Sequence, residues 1–332
     1  MRSILFLCCL LIQYCAVAQY APQAGLAGST AISAGSPAIT GWASTCAVQR
    51  GYIDIANTTL GTVTGGDSAN ATGSADGYIV CLGDSGVATL RFEAALYDGP
   101  GPDFAVFENG FTDPANPEMA FLELAFAEVS SDGINYFRFP ANSNTGTNTQ
   151  IPGSGVYMVA SLINNLAGKY VATYGTPFDL QEMAGLAGLD INNVTHVRLV
   201  DVVGSLSGHQ SKDVAGKTIN DPYPTNFASG GFDLDAVAAL HQVSAGTSLV
   251  FAEVAASVYP NPASDQVTIT INKAARKGLT LTARSITGTV MGTTVITATS
   301  ATLNIANYPA GLYYLTVIEA NETIWAGKIA KY

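Results

Sequence analysis

The feature that most constrains the fold of this chain is a rigid turn followed by a short strand that is apolar on both faces. Residues 98–103 read DGPGPD and residues 104–107 read FAVF, ahead of Glu108. Alternating Gly and Pro residues favour a tight turn and exclude a helix. Successive side chains of a strand point to opposite faces, so Phe104 and Phe107 lie on different faces. A strand that is apolar on both faces belongs in the centre of a sandwich.

The remaining pattern also favours an all-β fold. Hydrophobic residues make up 48% of the 332 residues, charged residues make up 12%, and there are 34 glycines. About nine short strand-like segments alternate with turns, and only residues 156–167 and 180–186 read as helices. The sequence therefore predicts a jelly-roll-like two-sheet sandwich over residues 19–245, with a long functional or ion-held loop at 204–231.

Residues 1–18 have the pattern of a secretory signal peptide. Arg2 precedes an apolar run at residues 4–12, and residues 16–18 read AVA, a cleavage site that makes Gln19 the first mature residue. The apolar run is too short to span a bilayer. Lipidation at Cys15 is the alternative, although Gln13 and Tyr14 stand where a lipobox needs small residues.

Two cysteines remain after removal of the signal peptide, Cys46 and Cys81. Exported proteins meet an oxidising compartment, in which such a pair forms a disulfide. We therefore predict a Cys46–Cys81 disulfide. The alternative is two separately buried thiols.

A second all-β segment follows a linker at residues 246–254. Its motifs are YPNPASD at 259–265, SITG at 285–288, YPAGLYYL at 308–315 and GKIAKY at 327–332. In this order they resemble the C-terminal sorting domain of type IX secretion substrates. The resemblance implies a small immunoglobulin-like sandwich over residues 255–332, recognition by the type IX machinery, and a secreted or outer-surface location. The alternative is a generic immunoglobulin-like module.

The larger domain resembles a family of uncharacterised bacterial cell-surface proteins. The motifs that carry this resemblance are DGPGPDFAVFENGF at 98–111, EVSSDG at 128–133 and GFDLDAV at 231–237. The family implies a surface location and no particular chemistry. The DLD segment is also similar to the last strand of jelly-roll carbohydrate-binding modules, in which an Asp helps to hold a structural calcium ion.

A calcium site is the metal prediction, because calcium prefers oxygen ligands and residues 19–254 hold 22 acidic but only seven basic side chains. In the closing strand, strict alternation places Phe232, Leu234 and Ala236 on one face and Asp233, Asp235 and Val237 on the other. The favoured ligands are the turn pair and the closing pair, with Glu108 and its neighbour Asn109 as further candidates about 17 Å along the strand. The predicted metal ligands are Asp98, Asp103, Asp233, Asp235 and Glu108. The alternative is that these residues cap turns and face water; zinc is disfavoured because His196, His209 and His241 lack ligand spacing.

The acidic balance excludes nucleic acid and anionic membranes as partners and is compatible with cations and neutral glycans. We predict a secreted or cell-surface binding or adhesion protein, with a glycan held on exposed aromatic side chains such as Trp42, and no catalytic residues. One alternative is a polysaccharide-cleaving enzyme, which needs two carboxylates. Its candidates are Glu93, Glu108, Glu123 and Glu128. The other alternative is a purely structural surface component.

Overall fold

The computed structural model describes residues 20–243, 256–271, 279–319 and 322–332. The chain divides into two compact units, residues 1–245 and 246–332. The predicted signal peptide and linker lie outside the described residues. The predicted all-β class and its sandwich arrangement are confirmed, since strands make up both units. In the described parts of the chain, no helix has the length and apolar character needed to cross a membrane.

The first unit is built from many short strands. They are β1 (Ile32–Ser33), β2 (Gly41–Trp42), β3 (Thr45–Gln49), β4 (Val80–Cys81), β5 (Val87–Leu96), β6 (Phe104–Glu108), β7 (Phe111–Asp113), β8 (Asn116–Phe121), β9 (Ala125–Ser130), β10 (Phe137–Arg138), β11 (Asn142–Ser143), β12 (Met158–Val159), β13 (Ile163–Asn164), β14 (Leu166–Ala167), β15 (Tyr174–Phe178), β16 (Val194–Asp201) and β17 (Asp233–Ala239). Short 3₁₀ helices cover Thr58–Leu60, Ser68–Ala71, Ala160–Leu162 and Leu180–Met183.

Two six-stranded sheets enclose the main core of this unit. One has the order β1-β15-β6-β17-β2, with β4 also paired to β17, and the other has the order β10-β9-β16-β5-β3, with β14 also paired to β9. Their facing side chains form one buried cluster that includes Val106 and Leu234 from the first sheet and Leu90 and Val197 from the second. Burial of these apolar side chains is the main driving force for the fold.

The predicted central position of the 104–107 segment is confirmed. Strand β6 lies between β15 and β17, and all five of its residues are buried. Phe104 and Val106 belong to the core between the sheets, whereas Ala105 and Phe107 pack on the outer face with Trp42.

The closing strand corrects the predicted alternation. Strand β17 pairs antiparallel with β6, but its register shifts between Leu234 and Ala236. A bulge inserts an extra residue and reverses which side chains face the core. As a result Leu234 and Val237 both point into the main core, while Ala236 lies on the opposite face.

The two predicted helices are also wrong. Residues 158–167 form three short strands and one 3₁₀ turn, and Leu180–Met183 is a single 3₁₀ turn. The apolar residues of the first segment, such as Ile163 and Leu166, are buried in a cluster with Leu124 and Phe126. A short apolar run that is buried by its surroundings cannot be assigned to helix or strand from periodicity alone.

The second unit is a separate two-sheet arrangement. Its strands are β18 (Ala256–Tyr259), β19 (Gln266–Ile271), β20 (Leu279–Ser285), β21 (Val290–Ile296), β22 (Ser300–Asn304), β23 (Gly311–Glu319) and β24 (Glu322–Lys331). The sheet orders are β18-β19-β22 and β21-β20-β23-β24. Alternation along β19 buries Val267, Ile269 and Ile271 in a core that belongs to this unit.

We expect Phe104→Ala to destabilise the first unit by about 3–5 kcal/mol, because a fully buried Phe leaves a cavity when it is truncated. Phe104 is 0% exposed and stacks on Phe178 at 5.0 Å between ring centroids. Urea unfolding followed by Trp42 fluorescence, in a Trp325→Phe background, measures this loss. The control is Tyr78→Ala, whose side chain is 69% exposed. Equal effects of the two substitutions would contradict the central placement of β6.

Candidate functional site

The DGPGPD turn holds its carboxylates through the backbone and one histidine. Asp103 is fully buried. Its Oδ1 accepts a hydrogen bond from the Gly99 amide at 2.8 Å and lies 2.8 Å from His241 Nδ1. Its Oδ2 accepts from the Leu180 amide at 2.6 Å. Burial raises the pKa of Asp103, while these hydrogen bonds and His241 act in the opposite direction.

A third carboxylate, Asp179, joins this turn. Oxygen atoms of Asp98, Asp103 and Asp179 lie within 4.8 Å of one another, and we call this trio the turn site. Asp179 also caps the 3₁₀ helix that follows it, by accepting from the Gln181 amide at 2.9 Å. The sequence shows Asp179 as a capping residue, but its approach to Asp103 depends on the pairing of β15 with β6.

The predicted closing pair does not join this turn. In the antiparallel register, Ala239 is the partner of Phe104, and Leu234 is the partner of Glu108. Asp233 therefore lies at the Glu108 end of β6, at the opposite end from Asp103. One ion cannot be bound by the turn pair and the closing pair together, because four residues of strand separate them.

Asp235 serves as a loop anchor. Its carboxylate accepts hydrogen bonds from the amides of Asp76 and Gly77, at 3.1 and 3.3 Å. Burial raises the pKa of Asp235, and these two amides oppose the rise. Its hydrogen bonds account for its burial without a cation.

A second group of carboxylates surrounds the far end of β6. Its members, named here the buried acidic cluster, are Glu108, Glu123, Asp221 and Asp233. They are respectively 1%, 7%, 3% and 8% exposed. Two of them, Glu108 and Asp233, were predicted metal ligands; Glu123 and Asp221 were not.

Backbone contacts bring these four residues together from distant parts of the sequence. Leu234, next to Asp233, pairs with Glu108. Gly110, whose amide donates to Glu108 Oε2 at 2.7 Å, packs against the Phe121 carbonyl so closely that an added Cβ would lie 2.7 Å from it.

The long loop supplies the last member. The Leu124 amide, which follows Glu123, donates to Asp221 Oδ2 at 3.2 Å. Asp221 therefore attaches the 204–231 loop, which was predicted to be functional or held by an ion, to the start of β9.

The environment of the cluster disfavours four ionised carboxylates. Burial, and then the charge of Asp233, raise the pKa of Glu108 well above its usual range. Burial raises the pKa of Glu123 in the same way, with Asp233 and Glu108 as the next causes. Burial is also the main cause that raises the pKa of Asp221 well above its usual range. Removal from water and mutual repulsion both favour the uncharged acids.

The remaining glutamates of the hydrolase alternative lie elsewhere. Glu128 is buried between two arginines: its Oε1 lies 2.8 Å from Arg138 Nη2, and its Oε2 lies 2.5 Å from Arg198 Nη2. Such pairing explains a glutamate in an apolar strand. Glu93 is exposed on β5, at the edge of an open cleft.

That cleft, which we call the Trp42 cleft, has a volume of about 390 Å³. Its lining residues combine one aromatic ring with several hydrogen-bonding groups: Thr40, Gly41, Trp42, Ala43, Ser44, Thr72, Gly73, Glu93 and Gln242. Trp42 packs on Phe107 at 5.4 Å between ring centroids.

Gln242 is held in the Trp42 cleft by its neighbours. Its Nε2 donates to the Ala94 carbonyl at 2.8 Å. A Cβ at position 41 would lie 2.4 Å from Gln242 Oε1, so glycine at this position makes room for the amide. The sequence indicates Trp42 as a candidate but does not show that Glu93 and Gln242 lie beside it. Trp42 and Glu93 are on strands of different sheets, so their proximity depends on how the sheets pack.

Cys46 and Cys81 are free thiols, so the predicted disulfide is not formed. Cys46 packs against the core between the two sheets. Cys81 lies between Val80 and Leu82, which both point into that core, and therefore faces the other way, beside Asp233. Burial raises the pKa of Cys46 to about 12 and also raises that of Cys81.

Comparison with known proteins identifies the second unit. Residues 257–331 match the secretion system C-terminal sorting domain. This match supports a type IX secretion substrate, exported to the medium or the outer surface, whose tail is recognised by the type IX machinery. No curated protein matches the chain.

Solved structures give little further guidance. The β-glucuronidase of Ruminococcus gnavus is 12% identical, with 88% of this chain and 44% of that chain covered, at a TM-score of 0.21. Its complex with D-glucaro 1,5-lactone is 11% identical, with 86% and 45% covered, at a TM-score of 0.20. The chain thus spans less than half the length of that enzyme, and a likeness this low carries no argument about function.

We expect two free thiols in the mature protein after unfolding in guanidinium without reductant, measured with Ellman's reagent. In the native protein at pH 8 the same reagent should react slowly, because both thiols have raised pKa values and the thiolate is the reactive form. A Cys46→Ser, Cys81→Ser double variant is the blank. If no thiol reacts in the unfolded parent protein, Cys46 and Cys81 form a disulfide after all.

We expect removal of residues 255–332 to leave the protein in the periplasm, because the sorting domain is lost while the first unit keeps its own core. Fractionation followed by immunoblotting measures the distribution. The matched control attaches residues 246–332 to a periplasmic reporter, which should then leave the cell. Normal release of the truncated chain would contradict the sorting function.

Proposed function

We propose that the first unit is an extracellular binding module, and that the Trp42 cleft holds a neutral glycan. The observation that carries this proposal is the composition of the cleft, which places one aromatic ring beside several hydrogen-bonding side chains in a volume of about 390 Å³. Ligand clefts typically have volumes of roughly 300–1,000 Å³ and combine apolar contact with a few polar groups.

The chemistry of the cleft suits a sugar ring. A pyranose presents C–H groups on its faces and hydroxyl groups around its edge. An indole such as that of Trp42 offers a flat apolar surface for the C–H groups. Glu93 accepts hydrogen bonds, while Gln242 and Thr72 both donate and accept, so the hydroxyl groups find partners of either kind.

Several features favour binding over cleavage. Glycoside hydrolysis uses two carboxylates on either side of the scissile bond. Glu93 is the one carboxylate among the described residues that line the cleft. Glu108 and Glu123 are buried away from solvent, and Glu128 is paired with two arginines. The other candidates for an acid and base pair are therefore held in structural positions.

The location of the protein agrees with this role. A sorting domain sends the first unit to the outside of the cell, where glycans of other cells, of the matrix or of nutrients are accessible. The resemblance of the DGPGPDFAVFENGF segment to cell-surface proteins supports the same location. The excess of acidic residues over basic ones disfavours anionic polymers and leaves neutral glycans as the preferred class.

We expect the full mature protein to bind at least one neutral glycan on an array, and Trp42→Ala and Glu93→Ala to weaken that binding at least tenfold. A tenfold loss corresponds to about 1.4 kcal/mol, which is the scale of one well-formed polar or stacking contact. Calorimetry with the selected glycan measures the change. Glu93 is exposed, so its removal leaves the core intact.

The matched controls are Glu118→Ala and Tyr78→Ala, an exposed acid and an exposed aromatic that lie outside the cleft. Both should bind the glycan as the parent does. Loss of binding in Phe111→Ala instead, at the exposed ring stacked on Phe121, would move the site away from the Trp42 cleft. Absence of any bound glycan would contradict the proposal and favour a structural surface component.

A further inference from the structure

The buried acidic cluster contains carboxylate oxygens that no group of the protein satisfies. Glu108 Oε1 and Asp221 Oδ1 are both buried and have no hydrogen-bond partner, whereas Asp233 also has the Cys81 thiol beside it. The first two belong to side chains that are 1% and 3% exposed. A buried polar atom without a partner is costly, and a buried charge without one costs more.

Basic side chains do not provide the missing charge. Among residues 20–243, the ion pairs are those of Glu128 with Arg138 and Arg198, and of Asp103 with His241. Arg50 lies beside Cys81, whose strand pairs with Asp233. Its Nη1 donates instead to the carbonyls of Gly65 and Cys81, at 2.5 and 2.6 Å.

The hydrogen bonds to three of these carboxylates each engage one oxygen. Asp221 Oδ2 is occupied by the Leu124 amide, and Asp233 Oδ2 is occupied by the Asn109 side chain at 3.0 Å. Glu108 Oε2 is occupied by the Gly110 amide. In Glu108 and Asp221 a backbone amide donates to one carboxylate oxygen, and the other oxygen has no partner.

We propose that the buried acidic cluster is the binding site of a calcium ion, with Glu108 as a direct ligand, one of Glu123, Asp221 and Asp233 as a second direct ligand, and the other two joined to the ion through water. A divalent cation supplies both the positive charge and the partners that the free oxygens need. This site and the Trp42 cleft consist of different residues, so the two proposals are tested independently.

The donor set favours calcium over other divalent ions. All four side chains present hard oxygen ligands, whereas zinc prefers nitrogen and sulfur in a compact tetrahedron. Outside the turn site, no three acidic, His or Cys side chains of the described residues bring ligand atoms within 4.8 Å of one another. Two direct ligands of one calcium ion lie at most about 4.8–5 Å apart, so no more than two of the four carboxylates contact the ion directly and water supplies the other oxygens. Calcium takes six to eight oxygens in flexible geometry and suits such a site better than magnesium, which requires a near-ideal octahedron.

The turn site is the weaker candidate, although its three carboxylates are closer together. Both oxygens of Asp103 already accept backbone hydrogen bonds, and His241 adds a further contact. Asp179 is engaged in capping its 3₁₀ helix. Asp98 Oδ1 is buried without a hydrogen-bond partner, but the Asp98 residue is only half-buried, whereas Glu108 and Asp221 are almost fully removed from water.

The experiment is thermal unfolding of the full mature protein, first stripped with chelator and then titrated with calcium chloride. At about ten times the dissociation constant we expect the melting temperature of the first unit to rise by about 3–6 °C. Magnesium at the same concentration should give a smaller rise. Equilibrium dialysis with radioactive calcium should find one ion per chain at this site.

The deciding variants are Glu108→Gln and Asp221→Asn, which keep side-chain shape and remove charge. Without calcium they should melt at or above the temperature of the parent, because repulsion is relieved. With calcium they should lose most of the rise and of the bound ion. The matched controls, Asp98→Asn in the turn site and Glu118→Gln on the surface, should respond as the parent does.

Three results would overturn the assignment. The parent protein fails to bind calcium in dialysis, in which case the carboxyl groups are neutralised by protons. Calcium binding persists unchanged in both Glu108→Gln and Asp221→Asn. Calcium binding is lost in Asp98→Asn, which would place the ion in the turn site. The first result is measured on the parent protein alone, so it can be obtained even if the variants fail to fold.

Discussion

The architecture of the first unit depends on the burial of β6 on both of its faces. Phe104 and Val106 fill the core between the sheets, and Ala105 and Phe107 pack on the opposite face of their sheet with Ile32 of β1 and Trp42 of β2. A strand in this position has no solvent-facing side, so the polar residues at its two ends must find partners within the protein. Asp103 finds them in two amides and His241. Glu108 finds a partner for one oxygen only.

The sequence reports the strand itself because its evidence is local. The Gly/Pro turn ahead of the apolar four-residue run and the shortness of the run favour a buried strand over a helix, and the all-β class follows from repetition of such runs. The candidate site required knowledge of pairing. Asp179, Glu123 and Asp221 are 76, 15 and 113 residues away from Asp103 or Glu108 in the chain. The pairing of β15 with β6 brings Asp179 close, and contacts of loop residues bring Glu123 and Asp221 close.

Two local irregularities explain most of the remaining differences. The bulge in β17 reverses the facing of Ala236 and Val237, and nothing in the DLDAV sequence marks it. The 156–167 segment is apolar but consists of very short strands that are buried by neighbouring loops. Cys46 and Cys81 lie on strands of different sheets; Cys46 faces the core between the sheets, and Cys81 faces away from it. The number of cysteines and the oxidising compartment alone therefore could not decide whether they pair.

The two proposed sites lie in different parts of the first unit and have different roles: the Trp42 cleft binds a ligand, and the buried acidic cluster binds a stabilising ion. An open cleft at β2 and β5 offers a surface for a ligand, and the buried carboxylates near Glu108 lack a counter-charge that a cation would supply. Calcium is abundant outside cells, and extracellular modules bind it with dissociation constants of roughly 10⁻⁴–10⁻³ M.

The most direct test of the central claim is a crystal structure of the mature protein grown in calcium chloride, with an anomalous difference map. The account predicts one peak within about 2.3–2.6 Å of Glu108 Oε1, the distance of a direct calcium ligand. A map without a peak at Glu108, in which the carboxyl groups of the cluster share protons with one another, would contradict it, as would a peak confined to Asp98, Asp103 and Asp179.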